Sequence, residues 1–331
     1  MIKRKNSQQT APITAPASLL HALQLPENLS GTFQPTAAEF PLRVNAAFLQ
    51  RIHPANPDDP LLRQVLPLTD ERQPDPNYCD DAVGDLAASP SPGLIHKYHG
   101  RVLLLLTNSC PIHCRFCFRR NFPYRDHQLS HRHLQQALDY ITAHHEISEV
   151  VLSGGDPLMV SNQRLFEVIA ALGKIPHLTT LRIHSRVPVV MPQRIDPELL
   201  NHLRELAHTP LQPVLVIHCN HPQELGSAAL TAIHQLKESG VVLLNQSVLL
   251  RGVNDSLTTL KTLSHTLFRN GVLPYYLHRL DHARGVSHFA VNPEKEAALV
   301  KSLQSQLPGY LMPKVVQDVA GTPYKAPYYQ P

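Results

Sequence analysis

The chain has 331 residues and a formal net charge of +4, a length that suits one large catalytic domain with smaller appendages. So small and dispersed a charge gives no reason to expect a nucleic-acid or membrane partner. Five cysteines, three of them within eight residues and two remote (Cys79, Cys219), make a poor disulfide scaffold and fit a reducing cytoplasm.

Residues 1–5 are basic, but polar residues 6–10 follow where a secretory leader needs an apolar core. Residues 1–16 read as a flexible tail. Over 17–95, short apolar patches alternate with proline clusters such as Pro54 to Pro60, which predicts short helices joined by irregular loops. The apolar run 102–106 is far short of the ~20 residues a membrane span requires and reads as a buried strand. Leu134, Ala137, Leu138 and Ile141 then follow helical spacing. The unit recurs as strand 149–153 with a helical stripe of Leu165, Val168, Ile169 and Leu172, and as candidate strands 179–184, 213–218, 241–246 and 273–279. Six repeats imply parallel strands with right-handed crossovers, in a barrel or in an open doubly wound sheet. Periodicity does not separate the two. In both, ligands gather at the carboxyl ends of the strands.

Directly after the first of these strands comes Cys110-Pro-Ile-His-Cys114-Arg-Phe-Cys117. Three thiolates can hold three irons of a [4Fe–4S] cluster and leave the fourth open to a small ligand, whereas closed clusters use four cysteines. The competing reading is zinc, with His113 as fourth ligand, but no second CxxC pair accompanies the triad and His113 adjoins Cys114. The second strand ends in Ser153-Gly154-Gly155-Asp156-Pro157, where two glycines allow close backbone approach to a ligand.

The CxxxCxxC loop after a first strand resembles the radical S-adenosylmethionine (SAM) superfamily. That resemblance, not the periodicity, implies a partial (β/α)6 barrel of class α/β. It also implies that SAM chelates the open iron and is reductively cleaved to a 5′-deoxyadenosyl radical. Ser153, Gly154, Gly155 and Asp156 then resemble the segment that contacts SAM. Arg101-Val-Leu, Cys117-Phe-Arg119-Arg120, Arg182-Ile-His-Ser-Arg186, Asn220-His-Pro, Asn245-Gln246 and Pro274-Tyr-Tyr-Leu277 are similar to the lysine 2,3-aminomutases over about residues 50–331. The organisation implied is a mostly helical N-terminal region (17–95), a barrel (96–290) and a C-terminal segment (291–331) carrying a pyridoxal phosphate (PLP) lysine.

That lysine is Lys325, in Ala320-Gly-Thr-Pro-Tyr-Lys325. The resemblance gives the PLP phosphate to Arg101 and Gln246, with Lys97 near, and the substrate carboxylate to Arg119. Asp281 and Asp318 resemble the two carboxylates that take the ε-ammonium of L-lysine, a buried charge that needs partners. Arg182, Ser185, Arg186, His218 and Asn220 are expected to line the pocket without individual roles. The implied reaction is a PLP-assisted 1,2-amino migration giving β-lysine, with a flavodoxin or ferredoxin as electron donor. Residues 56–66, 92–98 and 116–124, and an end six residues past Lys325, resemble the group that makes (R)-β-lysine for elongation factor P (EF-P), which a lysyl ligase then attaches. Catabolic or osmolyte-producing aminomutases share these residues. A PLP-free radical SAM activase or RNA-modifying enzyme is the alternative of another class.

Overall fold

The computed structural model describes residues 11–127 and 129–328. Nine strands are hydrogen-bonded in chain order into one sheet. They are β1 (Leu94–Tyr98), β2 (Arg101–Thr107), β3 (Glu149–Gly154), β4 (Thr180–Ser185), β5 (Gln212–His218), β6 (Val242–Val248), β7 (Leu273–His278), β8 (Lys314–Gln317) and β9 (Ala326–Pro327). All neighbours from β2 to β8 are parallel, and only the edge pairs β1·β2 and β8·β9 are antiparallel. A doubly wound sheet reverses strand order at a switch point. This one never does, so it is singly wound, and with β1 and β9 as free edges it is a partial barrel. The six predicted strands are β2 to β7. The short β8 adds a seventh parallel strand, so the sheet runs on past the barrel boundary at 290.

Strand alternation sorts the side chains onto two faces. Val102 and Leu104, Val150 and Leu152, Leu181 and Ile183, and Leu215 and Ile217 join the principal apolar core beneath the helices. The intervening residues, among them Arg101, Ser153, Arg182, His184, His218 and Gln246, line a cavity inside the barrel. Four of the helices that follow the strands begin at side-chain caps: Ser130, Ser161, Asp196 and Ser256 accept from the backbone N–H groups of His133, Arg164, Leu199 and Thr259. Each cap satisfies a donor that the first turn leaves without a partner. Leu134, Ala137 and Ile141 of the first such helix are buried, as are Leu165, Val168, Ile169 and Leu172 of the second.

Residues 1–10 of the expected tail lie outside the described residues. Its remainder is not loose: Ile13 and Val44 exchange backbone hydrogen bonds of 2.8 and 2.9 Å, and a helix begins at Pro16. The region before β1 is irregular rather than mostly helical, its described helices confined to Pro16–Ala22, Ala46–Leu49, Pro60–Arg63 and a 3-10 turn at Thr69–Arg72, and that region clamps the outside of the cysteine loop. Arg43 and Gln64 accept backbone bonds from His113 and Arg115, and Asn45 Nδ2 donates to Pro111 O at 3.2 Å. Arg115 is wholly buried. Its Nε donates to Glu71 Oε1 at 2.8 Å, its second terminal nitrogen reaches Glu71 Oε2, and Arg120 reaches that same oxygen at 2.5 Å. Burial works to raise the Glu71 carboxyl, but the two arginines outweigh it and hold the group ionised. Removing one partner from a buried ion network leaves uncompensated charge at a cost of about 3–5 kcal/mol. Glu71→Ala is therefore expected to lose stability of that order, read as a lower urea midpoint with unchanged slope.

Candidate active site

The cavity at the carboxyl ends of the strands has a volume of about 270 Å³. All thirteen residues expected to act there line it: Cys110, Cys114 and Cys117; Ser153, Gly154, Gly155 and Asp156; Arg101, Arg119 and Gln246; and Asp281, Asp318 and Lys325. Lys97, Arg182, Ser185, Arg186 and His218 line it too, whereas Asn220 does not. Asn220 is wholly buried and accepts from Val248 N at 2.8 Å, so it braces the loops behind the cavity.

The three cysteines are free thiols on one wall. Burial pushes all three up, Cys117 to about 11; like charge from the other cysteines adds to this at Cys110 and Cys117, while Arg186 works against it at Cys114. Three adjacent thiolates are thus costly in this loop unless positive charge is bound among them, which a cluster of iron ions supplies. Arg186 Nη1 already reaches Cys114 Sγ at 2.6 Å. Among the described residues, no three His, Cys, Asp or Glu side chains are gathered closely enough to hold one metal ion. The donor set, three thiols on one loop, fits three corners of a cluster.

Gly154 and Gly155 differ in detail from expectation. The approach they allow is to the cysteine loop itself. A Cβ on Gly154, whose φ is +122°, would stand 2.4 Å from Thr107 O, and one on Gly155 would stand 2.4 Å from Ser109 O. Gly155 N and Asp156 N donate to those carbonyls at 2.6 and 2.8 Å. Tyr124 Oη donates to Gly154 O at 2.8 Å and fixes the strand end from the other side. The Asp156 carboxylate is fully used within the protein, accepting from Ser185 Oγ (2.7 Å), Arg186 N (2.7 Å), Leu158 N and Val187 N. Burial raises it to about 6 against those four bonds. It ties β3 to the end of β4, so it orients its neighbours.

At the opposite wall, Lys325 Nζ and Tyr98 Oη each hold one oxygen of Asp318. Burial would raise Asp318, but the charge and hydrogen bond of Lys325, with the Tyr98 bond, bring it down to about 2. Asp281 feels the charges of Lys325 and Lys97, but they do not offset its burial. Its Oδ1 is buried without a hydrogen-bond partner, and burial with the nearby Asp318 charge raises it to about 7. Arg119 is likewise engaged: Nε donates to Asp85 Oδ2 at 2.6 Å and Nη1 to Ser153 Oγ at 3.2 Å. Lys97 pairs with the other Asp85 oxygen at 2.6 Å, so its charge is spent there. Arg101 lies 4.6 Å over the Tyr98 ring.

Sequence reasoning missed Asp85, Tyr98, His184, Tyr276 and His278, all in the cavity wall. His184, Tyr276 and His278 had a signal, since polar residues at every second position of a parallel strand mark the inner face. Burial and neighbouring cations drive His184 well down, and burial takes His218 and His278 to about 3, so the histidines are neutral. Orphaned buried nitrogens on Arg182, His184 and His218 are donors and acceptors left for polar ligands.

A singly wound partial barrel with a three-cysteine loop at its mouth defines a radical SAM enzyme, and the family model for the radical SAM superfamily matches residues 104–263. The L-lysine 2,3-aminomutase of Haemophilus influenzae is 44% identical over 319 residues, 96% of this chain and 93% of that one. The Escherichia coli protein of the same name is 46% identical over 288 residues, covering 87% and 83%. The one from Clostridium subterminale is 39% identical, covering 86% and 68%. The chain belongs to the L-lysine 2,3-aminomutase family, and membership implies a [4Fe–4S] cluster, SAM and PLP. Gly155→Ala must push the cysteine loop away from its floor. After anaerobic reconstitution it is expected to carry less than about half the wild-type iron and sulfide by chemical assay, the loop no longer presenting three thiols together.

Proposed function

We propose that this protein isomerises L-lysine to (R)-β-lysine by a radical 1,2-amino migration, with PLP carried on Lys325. The observation that carries the reading is that Lys325 and two acidic residues share one cavity with the cysteine triad. A lone lysine near a chain end is ordinarily solvated, but Lys325 is part-buried against Asp318. The cluster with SAM supplies the radical, and PLP supplies the conjugated system across which the amino group moves.

The chain's own residues bind, orient and exclude water. Cys110, Cys114 and Cys117 hold the cluster, and Ser153 with Gly154 and Gly155 borders the SAM side, oriented by Asp156. Arg101 and Gln246 hold the PLP phosphate. Arg119 presents its guanidinium to the substrate carboxylate, where a planar fork suits two oxygens. Asp281 and Asp318 receive the ε-ammonium. Lys325 would hold PLP only once released from Asp318, which would leave Asp318 open to the substrate cation. Neutral His184, His218 and His278 wall the cavity without adding charge, which suits an intermediate that solvent would quench.

Three segments favour supply of β-lysine for EF-P modification: 56–66, 92–98 and 116–124, which resemble the group with that role. In this reading the enzyme works in the cytoplasm with a flavodoxin or ferredoxin donor, and product passes to the EF-P lysyl ligase. No described helix is long and apolar enough to cross a membrane.

Anaerobic reconstitution with iron, sulfide, PLP, SAM, reductant and L-lysine, followed by chiral analysis, is expected to give (R)-β-lysine. Lys325→Ala is expected to give no product while retaining its iron. An unchanged L-lysine pool with wild type, or turnover by Lys325→Ala, contradicts the proposal. A pH signature follows from Asp281. Below about pH 7 it is protonated, and the lysine ammonium, with a pKa near ~10.4, favours its ionised form. Lysine binding at pH 6 should therefore release a proton and tighten as pH rises through 7. Calorimetry in buffers of different ionisation enthalpy reads that release, which Asp281→Asn should abolish.

A further inference from the structure

A carboxylate from outside the barrel reaches the cavity, and the reaction as described does not use it. Asp85 lies in the irregular segment before β1 and is 1% exposed. It bridges two cations that line the cavity, Arg119 through Oδ2 and Lys97 through Oδ1, each at 2.6 Å. Lys97 comes from β1 and Arg119 from the cysteine loop, so one side chain ties three separate segments to one wall. Burial works to raise Asp85, but the two cations outweigh it and keep it ionised. Two cations against one carboxylate leave this wall with a single net positive charge.

We propose that Asp85 is a specificity-determining positioning residue, which holds Arg119 and Lys97 in place and sets their wall to accept a head group with one negative charge. The proposal rests on the reading of Arg119 as the partner of the substrate carboxylate. An α-carboxylate neutralises the wall. A doubly charged head such as a phosphonate leaves a buried negative charge without a partner, which is costly where water is excluded. Without the Asp85 charge the wall carries two positive charges and matches the dianion instead. Asp85 thereby discriminates by charge count, a device that acts against the wrong ligand as much as for the right one. It touches the substrate only through Arg119 and Lys97.

The test uses protein loaded with cluster and PLP but without SAM, so that ligands bind and do not turn over. Binding of L-lysine, its α-phosphonate analogue and cadaverine, which lacks an anionic head, is measured by calorimetry for wild type, Asp85→Asn and Asp85→Glu. Wild type and Asp85→Glu should prefer the carboxylate to the phosphonate. In Asp85→Asn the ratio of the two affinities should move toward the phosphonate by about tenfold or more, since one charge at short range in a protein interior is worth at least that. Cadaverine should change by less than about twofold on the same scale. An unchanged ratio in Asp85→Asn overturns the proposal, as does a parallel loss for all three ligands, which is the mark of a merely structural residue. Wild type that binds L-lysine no better than cadaverine overturns the reading of Arg119 itself. Preference for lysine over cadaverine with an unmoved ratio leaves that reading standing and removes Asp85 alone.

Discussion

Gly155 has no room for a side chain, because the Ser109 carbonyl oxygen stands 2.4 Å from where a Cβ would lie. That contact, with its twin between Gly154 and Thr107, brings the backbone leading into the cysteine loop directly against the end of β3. Backbone pressed on backbone gives a loop a floor that no rotamer can move, and a three-point ligand set on a short loop needs such a floor to be held in place. Tyr124 and Asp156 fix the far side of the same strand end through hydrogen bonds of 2.8 and 2.7 Å. The cysteines, the glycine pair and the loop after β4 thus form one rigid assembly.

The cavity above that assembly is densely ionic, yet nearly every charge in it is answered within the protein. Arg119 and Lys97 face Asp85, Arg182 faces Glu149, Arg186 faces Glu224, and Lys325 faces Asp318. Buried histidines add none, since burial keeps them neutral. A ligand with charge at both ends therefore enters by exchanging ion partners, because an added charge left unpaired at this depth is strongly disfavoured. Asp281, buried with an unpartnered oxygen and raised to about 7, is the group most ready to gain from a cation. Pairing at Arg119 and shortage at Asp281 give the cavity two electrostatically unlike ends.

How much of this was legible before the structure depends on how local each signal is. Strands β2 to β7 and the first two helices between them announce themselves through periodicity within a dozen residues, and the cysteine triad through spacing within eight. Strand β1, a short edge, and β8 and β9, of four and two residues, carry too few positions for a period to be read. The glycine pair was visible, but what it approaches was not, because Ser109 lies 46 residues before Gly155. Asp85, Glu71 and Glu224 were invisible as site residues for the same reason. Their arginine partners lie 34, 44 and 38 residues away, and a lone acidic residue in a proline-rich loop reads as solvated. Asp318 was expected in the site and lines the cavity, with its two oxygens held by Tyr98 and Lys325.

The positions of those hidden carboxylates explain why the chain needs its irregular N-terminal region. The barrel supplies Arg115, Arg119 and Arg120 from the cysteine loop, all buried or nearly so, while their acidic partners Glu71 and Asp85 come from before β1. A barrel alone would have to bury three guanidinium groups without counter-charges or leave the loop swollen with water, and either is incompatible with a closed radical site. Backbone bonds from Arg43 and Gln64 to the same loop point the same way. The cysteine loop is thus held between two parts of the chain, glycine backbone beneath and carboxylates above, and its three thiols are presented together only when both are folded onto it.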